Sequence, residues 1–98
     1  MTLTLHLDTD AWRAHLRRTA DGTPGLVPVA KGNGYGFGLA RLAEETVRLG
    51  IGVLAVGMAH ELPVVRAAGF DGDVVVLTPW TPADGTAVLD DPAVVVTV

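Results

Sequence analysis

Three short runs of uninterrupted apolar residues recur along the chain: Val53-Leu54-Ala55-Val56, Val74-Val75-Val76-Leu77 and Val94-Val95-Val96. A strand with one wet face alternates apolar and polar side chains. A run without alternation is a strand covered on both faces, the pattern of a parallel sheet flanked by helices. The stretches between these runs carry helical signals. Leu39, Leu42, Ala43, Thr46, Val47 and Leu49 form an apolar stripe that predicts a helix over 38–49, with Gly50 just past its end and a Glu44–Arg48 pair on its wet face. A helix over 60–68 tolerates Pro63 in its first turn and stops at Gly69. Thr81-Pro82-Ala83-Asp84 reads as the start of a short helix ending near Leu89.

The front of the chain fits the same scheme. Residues 3–7 alternate Leu, Thr, Leu, His, Leu, the period of a half-buried strand. Thr9 or Asp10 can cap a helix over 11–20 that places Ala11, Trp12 and Leu16 on one side and leaves Arg13, Arg17 and Arg18 in solvent. A turn at 21–25 leads into an apolar strand over 26–31. The order is strand, helix, then strand and helix three times, then strand. The class is α/β with a parallel sheet: either a small open sheet or the front of a larger domain, with the final strand at 94–98 uncovered. The abrupt end on that strand favours a fragment.

Composition removes several functions. Apolar residues make up 49% of the 98, enough to build a core rather than a disordered chain. A net charge of −4 and the absence of a basic face argue against a nucleic-acid partner. Without cysteine there is no disulfide or thiol chemistry. No apolar run approaches the roughly 18 residues of a membrane span, and the first residues do not read as a signal peptide. A cytoplasmic location is the default for such a chain.

Chemistry concentrates at Lys31. It ends the strand Leu26-Val27-Pro28-Val29-Ala30 and opens Lys31-Gly32-Asn33-Gly34-Tyr35-Gly36-Phe37-Gly38. An ammonium at the end of a buried strand is costly to desolvate without a partner or a task, and the glycines let backbone approach something bulky and polar. A lysine held there can condense with an aldehyde, which is how pyridoxal phosphate is anchored. The plain alternative is a lysine whose stem packs and whose amine reaches water. The phosphate-loop templates do not fit. In the dinucleotide pattern G-x-G-x-x-G, the last glycine would fall on Phe37 or Leu39, and the Walker A lysine follows its glycines instead of preceding them. His60-Glu61 opens like a zinc-binding helix, but Val64 stands where the second histidine would be. Asp8 and Asp10 are explained by helix capping, and Asp71, Asp73, Asp90 and Asp91 by turns. Trp80 either packs under a loop or faces the mouth of a site.

The segment from Ala30 to Gly38 closely resembles the cofactor-lysine segment of the alanine racemase family, which reads roughly Val-Lys-Ala-Asn-Ala-Tyr-Gly-His-Gly. Lysine, asparagine, tyrosine and two glycines keep register. The Leu5-His6-Leu7-Asp8 opening, Gly57-Met58-Ala59-His60-Glu61 before a helix, and Val74-Val75-Val76-Leu77 extend the likeness over nearly the whole chain. The resemblance implies a fold of type α/β, a partial (β/α)8 TIM barrel comprising the amino-terminal strand and the first three to four βα units. It implies a pyridoxal 5'-phosphate enzyme that interconverts L- and D-alanine through a lysine aldimine, supplying D-alanine for the cell wall. Lys31 would carry the cofactor and act as one acid/base group, Tyr35 would hydrogen-bond the phosphate, and Asn33 would hold the loop in shape. The full-length protein would be a homodimer acting on a small amino acid.

Three departures bear on activity. Gly32 and Gly34 stand for alanines, and Phe37 for a histidine. The family's second base is a tyrosine of the partner subunit's carboxy-terminal domain, while Tyr35 is the chain's one tyrosine. The 98 residues alone are therefore expected to be inactive. A decarboxylase on the same barrel type and a non-catalytic cofactor-binding or vestigial fragment remain as alternatives.

Overall fold

A computed structural model describes residues 2–98. The elements are α1 (Thr9–Asp21), α2 (Lys31–Tyr35), α3 (Leu39–Arg48), β1 (Val53–Val56), α4 (Leu62–Ala67), β2 (Asp73–Pro79), α5 (Ala87–Asp90) and β3 (Val94–Thr97). Short 3-10 turns at Ala59–Glu61 and Pro82–Asp84 precede α4 and α5. The strands form one parallel sheet in the order β1-β2-β3, with Leu54 opposite Val74 and Val74 opposite Val94. This is the α/β parallel-sheet architecture expected from the apolar runs, and it matches the partial barrel that the resemblance implied.

Register decides what is buried. Leu54 and Val56 of β1 and Val74 and Val76 of β2 point to one face, where they pack with Leu39 and Ala43 of α3 and Val65 of α4. Leu54, Val56, Val65 and Val74 lose essentially all contact with water, worth about 1.5–3 kcal/mol each. The odd-numbered residues point the other way. Val29 and Val95 on that face remain 37% and 54% exposed. The sheet is thus covered by helices on one face only, not on both as the unbroken apolar runs predict. In a barrel the second face is filled by side chains of other strands rather than by helices.

Two predicted strands differ from expectation. Among the described residues the segment 3–7 joins no sheet, and Leu3 and Leu5 are 97% and 83% exposed. Its alternation is that of a strand, but it has no neighbour to pair with here. The segment 26–31 reaches the sheet through a single parallel bridge, Val29 to Ala55. Ala30 N–H donates to Ala55 O, and Ala55 N–H to Pro28 O, both at 2.8 Å. Pro28 lacks a donor of its own, which limits the ladder.

The helix ends differ from expectation in one cap. The cap of α1 is Asp8, whose Oδ1 accepts from Ala11 N–H at 3.1 Å, rather than Thr9 or Asp10. The Thr81–Asp84 start forms as a capping box, with Thr81 N–H donating to Asp84 Oδ2 at 2.9 Å. Gly50 follows α3 with φ 71°, as placed.

The arginines of α1 behave differently from the solvated cluster expected. Arg13 makes a forked contact with the buried Glu45 of α3, Nη2 to Oε1 at 2.8 Å and Nε to Oε1 at 3.0 Å. Arg17 donates to the α3-end carbonyls of Arg48 and Leu49 at 2.9 and 3.3 Å. Arg18 stays exposed. The hydrogen bonds that Arg13 donates to Glu45 hold its guanidinium above its ordinary pKa, against a smaller opposing effect of desolvation. Arg48 lies 3.7 Å from Glu45, so the ion pair within α3 uses Glu45 rather than Glu44. Val47, placed on the apolar stripe, is 47% exposed, because Glu45 and Thr46 occupy the buried side.

Candidate functional site

In a parallel sheet all strands end on the same rim. Here that rim gathers Lys31 after the bridged segment, Gly57 after β1 and the end of β2, where Thr78 N–H donates to Gly57 O at 3.0 Å. Strand parity puts Val27 and Val29 on the uncovered face, while Ala30 is fully buried on the helix side and Lys31 follows it as the first residue of α2. The lysine stem lies against Gly57. A Cβ placed on Gly57 would stand 3.2 Å from Lys31 Cβ and 3.2 Å from Glu61 Oε1. Gly57 therefore has no side chain because the lysine stem and a carboxylate flank that space. Glu61 is held there by Met58 N–H, which donates to Oε1 at 2.7 Å.

From Lys31 the backbone enters a left-handed turn. Gly32, Asn33 and Gly34 have φ of 63°, 53° and 66°, and Tyr35 follows at 56°. Successive left-handed residues cost roughly 1–2 kcal/mol each unless they are glycine, less for asparagine. The glycines at 32 and 34 thus serve the backbone itself, in addition to clearing space. Closure comes from Gly34 N–H to Ala30 O, Phe37 N–H to Gly34 O and Gly38 N–H to Asn33 O, each at 3.0 Å. Asn33 Oδ1 accepts from Leu39 N–H at 3.0 Å, satisfying a free donor of the first turn of α3. Asn33 does hold the loop in shape, as its register with the family implied.

Lys31 and Tyr35 stand at the two ends of this one turn. Both are exposed, Tyr35 to 59%. Among the described residues no carboxylate pairs with the Lys31 amine. Lys31 is also the chain's only lysine, a count that marks it from sequence alone. Phe37, at the family's histidine position, stacks on Trp12 of α1 with ring centroids 5.9 Å apart and planes 18° from parallel. Neither Gly57 as the lysine's neighbour nor this stack was found from sequence, since both join residues far apart in the chain.

The other candidates have structural tasks. Trp80 Nε1 donates to Gly85 O at 3.0 Å, fastening the loop before α5. Asp91 Oδ1 accepts from Ala93 N–H at 2.9 Å, a turn contact. His60 is exposed on the 3-10 turn. An apolar cavity of about 230 Å³, lined by Leu16, Leu26, Ala30, Leu42, Leu49 and Leu54 among others, lies between α1 and the sheet. No helix among the described residues is long and apolar enough to cross a membrane.

Comparison with known proteins bears on the lysine turn. A family model described as alanine racemase, N-terminal domain, matches residues 7–98. An alanine racemase of Desulfovibrio desulfuricans is 34% identical over 84 residues, covering 83% of this chain and 22% of that protein. One of Symbiobacterium thermophilum is 31% identical over 87 residues, covering 87% and 23%. The crystal structure of alanine racemase from Oenococcus oeni superposes with a TM-score of 0.66 at 26% identity, over 90% of this chain and 25% of that one. The chain thus spans less than a quarter of the length of these two relatives. With a match over nearly all its residues and the lysine turn in register, the chain belongs to the family described as alanine racemase, N-terminal domain.

Proposed function

We propose that these residues form the cofactor-lysine portion of a pyridoxal 5'-phosphate-dependent alanine racemase, and that turnover belongs to a longer, homodimeric cytoplasmic protein containing them. The observation that carries the reading is the Lys31 amine. It is the chain's only lysine, it has no carboxylate partner among the described residues, and it follows the buried Ala30 at the carboxyl rim of parallel strands. Rims of this kind hold the catalytic groups of parallel barrels. The donor set fits the group: a primary amine for the aldehyde, and a phenol one turn away for a phosphate oxygen.

When bound, pyridoxal phosphate withdraws electrons from the substrate's α-carbon and so acidifies its proton. The residues of this chain supply part of what remains. Gly57 leaves room for the lysine stem, and the left-handed turn fixes where that stem begins. The Lys31 Nζ, as free amine, takes the α-proton from one face of the substrate or returns it. The Tyr35 hydroxyl would donate to a phosphate oxygen of the bound group. Inversion requires a second proton carrier on the opposite face, and Tyr35 is the only tyrosine in these 98 residues. The isolated chain is therefore expected to bind cofactor without racemising alanine.

The test treats the protein with pyridoxal phosphate and borohydride and locates the pyridoxyl group by mass spectrometry. A label on Lys31, absent from Lys31→Ala, is expected. Loss of optical rotation from L-alanine in the longer protein, without release of carbon dioxide, completes the assignment. Carbon dioxide release would establish the decarboxylase instead, and an unlabelled Lys31 would remove the cofactor role.

A further inference from the structure

The lysine turn is an unfavourable piece of backbone. Two of its residues, Asn33 and Tyr35, are not glycine yet have φ of 53° and 56°. Such conformations persist only when the surroundings over-determine them. The hydrogen bonds that close the turn run between Ala30 and Gly38, so they form and break with it, and only its two ends are pinned, Ala30 N–H to Ala55 O at 2.8 Å and Gly38 O by Leu42 N–H at 3.2 Å. One external tie is the Asn33 bond to Leu39 at the start of α3. A second is Phe37, whose N–H closes the turn on Gly34 while its ring lies on Trp12 of α1. A centroid separation of 5.9 Å at 18° is an offset stack, the favourable arrangement for two rings. The third side is Arg13, one residue after Trp12, which binds Glu45 of α3. Stack, hydrogen bond and ion pair thus join α1, the turn and α3 in a closed triangle.

We infer that Trp12 and Phe37 are positioning residues for Lys31: their stack clamps α1 onto the turn and holds it left-handed before any cofactor arrives. The consequence for cofactor capture rests on the function proposed above, while the clamp itself rests on the geometry. The departure at Phe37 exchanges a polar side chain for one that matches Trp12, so the loop gains an anchor in place of a hydrogen-bonding ring.

The experiment uses Trp12→Leu, Phe37→Leu, the double variant and Phe37→Tyr, which keeps the ring. Two readouts are taken: hydrogen exchange at the Gly38 and Leu39 amides, with the Val76 amide of β2 as reference, and the yield of borohydride-trapped pyridoxyl-Lys31 at limiting pyridoxal phosphate. Each leucine variant is expected to speed exchange at Gly38 and Leu39 by about two- to tenfold and to lower the trapped yield by a similar factor. The double variant should go no further, Phe37→Tyr should restore both, and Val76 should not change. Unaltered exchange in both single variants, equal acceleration at Val76, or losses that multiply in the double variant would overturn the clamp. Expected exchange behaviour in a protein whose Lys31 never traps cofactor would leave the clamp standing and remove the cofactor reading instead.

Discussion

At the scale of single residues, the turn asks two separate things of position 33: a side-chain acceptor and tolerance of positive φ. Asparagine supplies both, since its Oδ1 takes the Leu39 N–H and its short amide accepts left-handed backbone. The two can be separated by substitution. Asn33→Gly keeps the backbone freedom and loses the acceptor; Asn33→Ala loses both. An absent helix cap costs about 0.5–2 kcal/mol, and a left-handed alanine about 1–2 kcal/mol. Urea unfolding should therefore rank unmodified protein above Asn33→Gly and that above Asn33→Ala, with Asn33→Asp near the top because its carboxylate still accepts. Equal midpoints for the glycine and alanine variants would mean that φ at this position carries no strain.

At the scale of elements, α1 is held to the molecule in an unusual way. None of its residues is fully buried, and Trp12 and Leu16 are only half-buried. Its attachment leans on Arg13 to Glu45 and on Arg17 to the carbonyls at the end of α3. Glu45 is the sensitive partner, because its side chain is 6% exposed against 37% for Arg13. Removing Arg13 leaves the buried carboxylate only the longer 3.7 Å contact with the exposed Arg48, whereas removing both charges leaves no buried charge to pair. Arg13→Leu is thus expected to lower the thermal midpoint, and adding Glu45→Leu to raise it again; a further drop in the double variant would contradict this. The same pair marks a boundary of sequence reading. The strands β1 to β3, α3, the capping box at Thr81 and the rim position of Lys31 were legible because period, turn chemistry and register are local signals. Glu45 sits on the helix as an acidic residue among polar ones, and nothing in its spacing says that an arginine 32 positions earlier will meet it. The glycine turn was legible in part: its glycines announced freedom, but the hand of the turn follows from φ at Asn33 and Tyr35, which no composition reveals. Trp12 with Phe37 belongs with Glu45, a contact between distant segments that leaves no periodic trace.

At the scale of the whole molecule, the described chain is a slab rather than a ball. Its extents are 41 × 40 × 21 Å and its radius of gyration is 14.5 Å. A compact domain of about 100 residues would have a radius near 13 Å. The excess reflects the unpaired segment 2–8 and one layer of helices on one sheet, whose other face leaves Val27, Val29 and Val95 at 40%, 37% and 54% exposed. Two situations follow, and one substitution separates them. In the 98-residue chain alone, that face and the free edge of β3 invite association between copies. Val95→Lys then places a charge in solvent, so sedimentation should show less association, with unfolding free energy altered by no more than about 0.5 kcal/mol. In a longer protein whose further strands close the barrel, residue 95 faces a packed interior. The same lysine is there an unpaired buried charge and should prevent folding. Val74→Lys serves as the reference, since Val74 is already fully buried and should be intolerant in both proteins. A Val95→Lys variant of the longer protein that folds and unfolds like the unmodified one would show that this face stays open, and the barrel assignment would have to be given up.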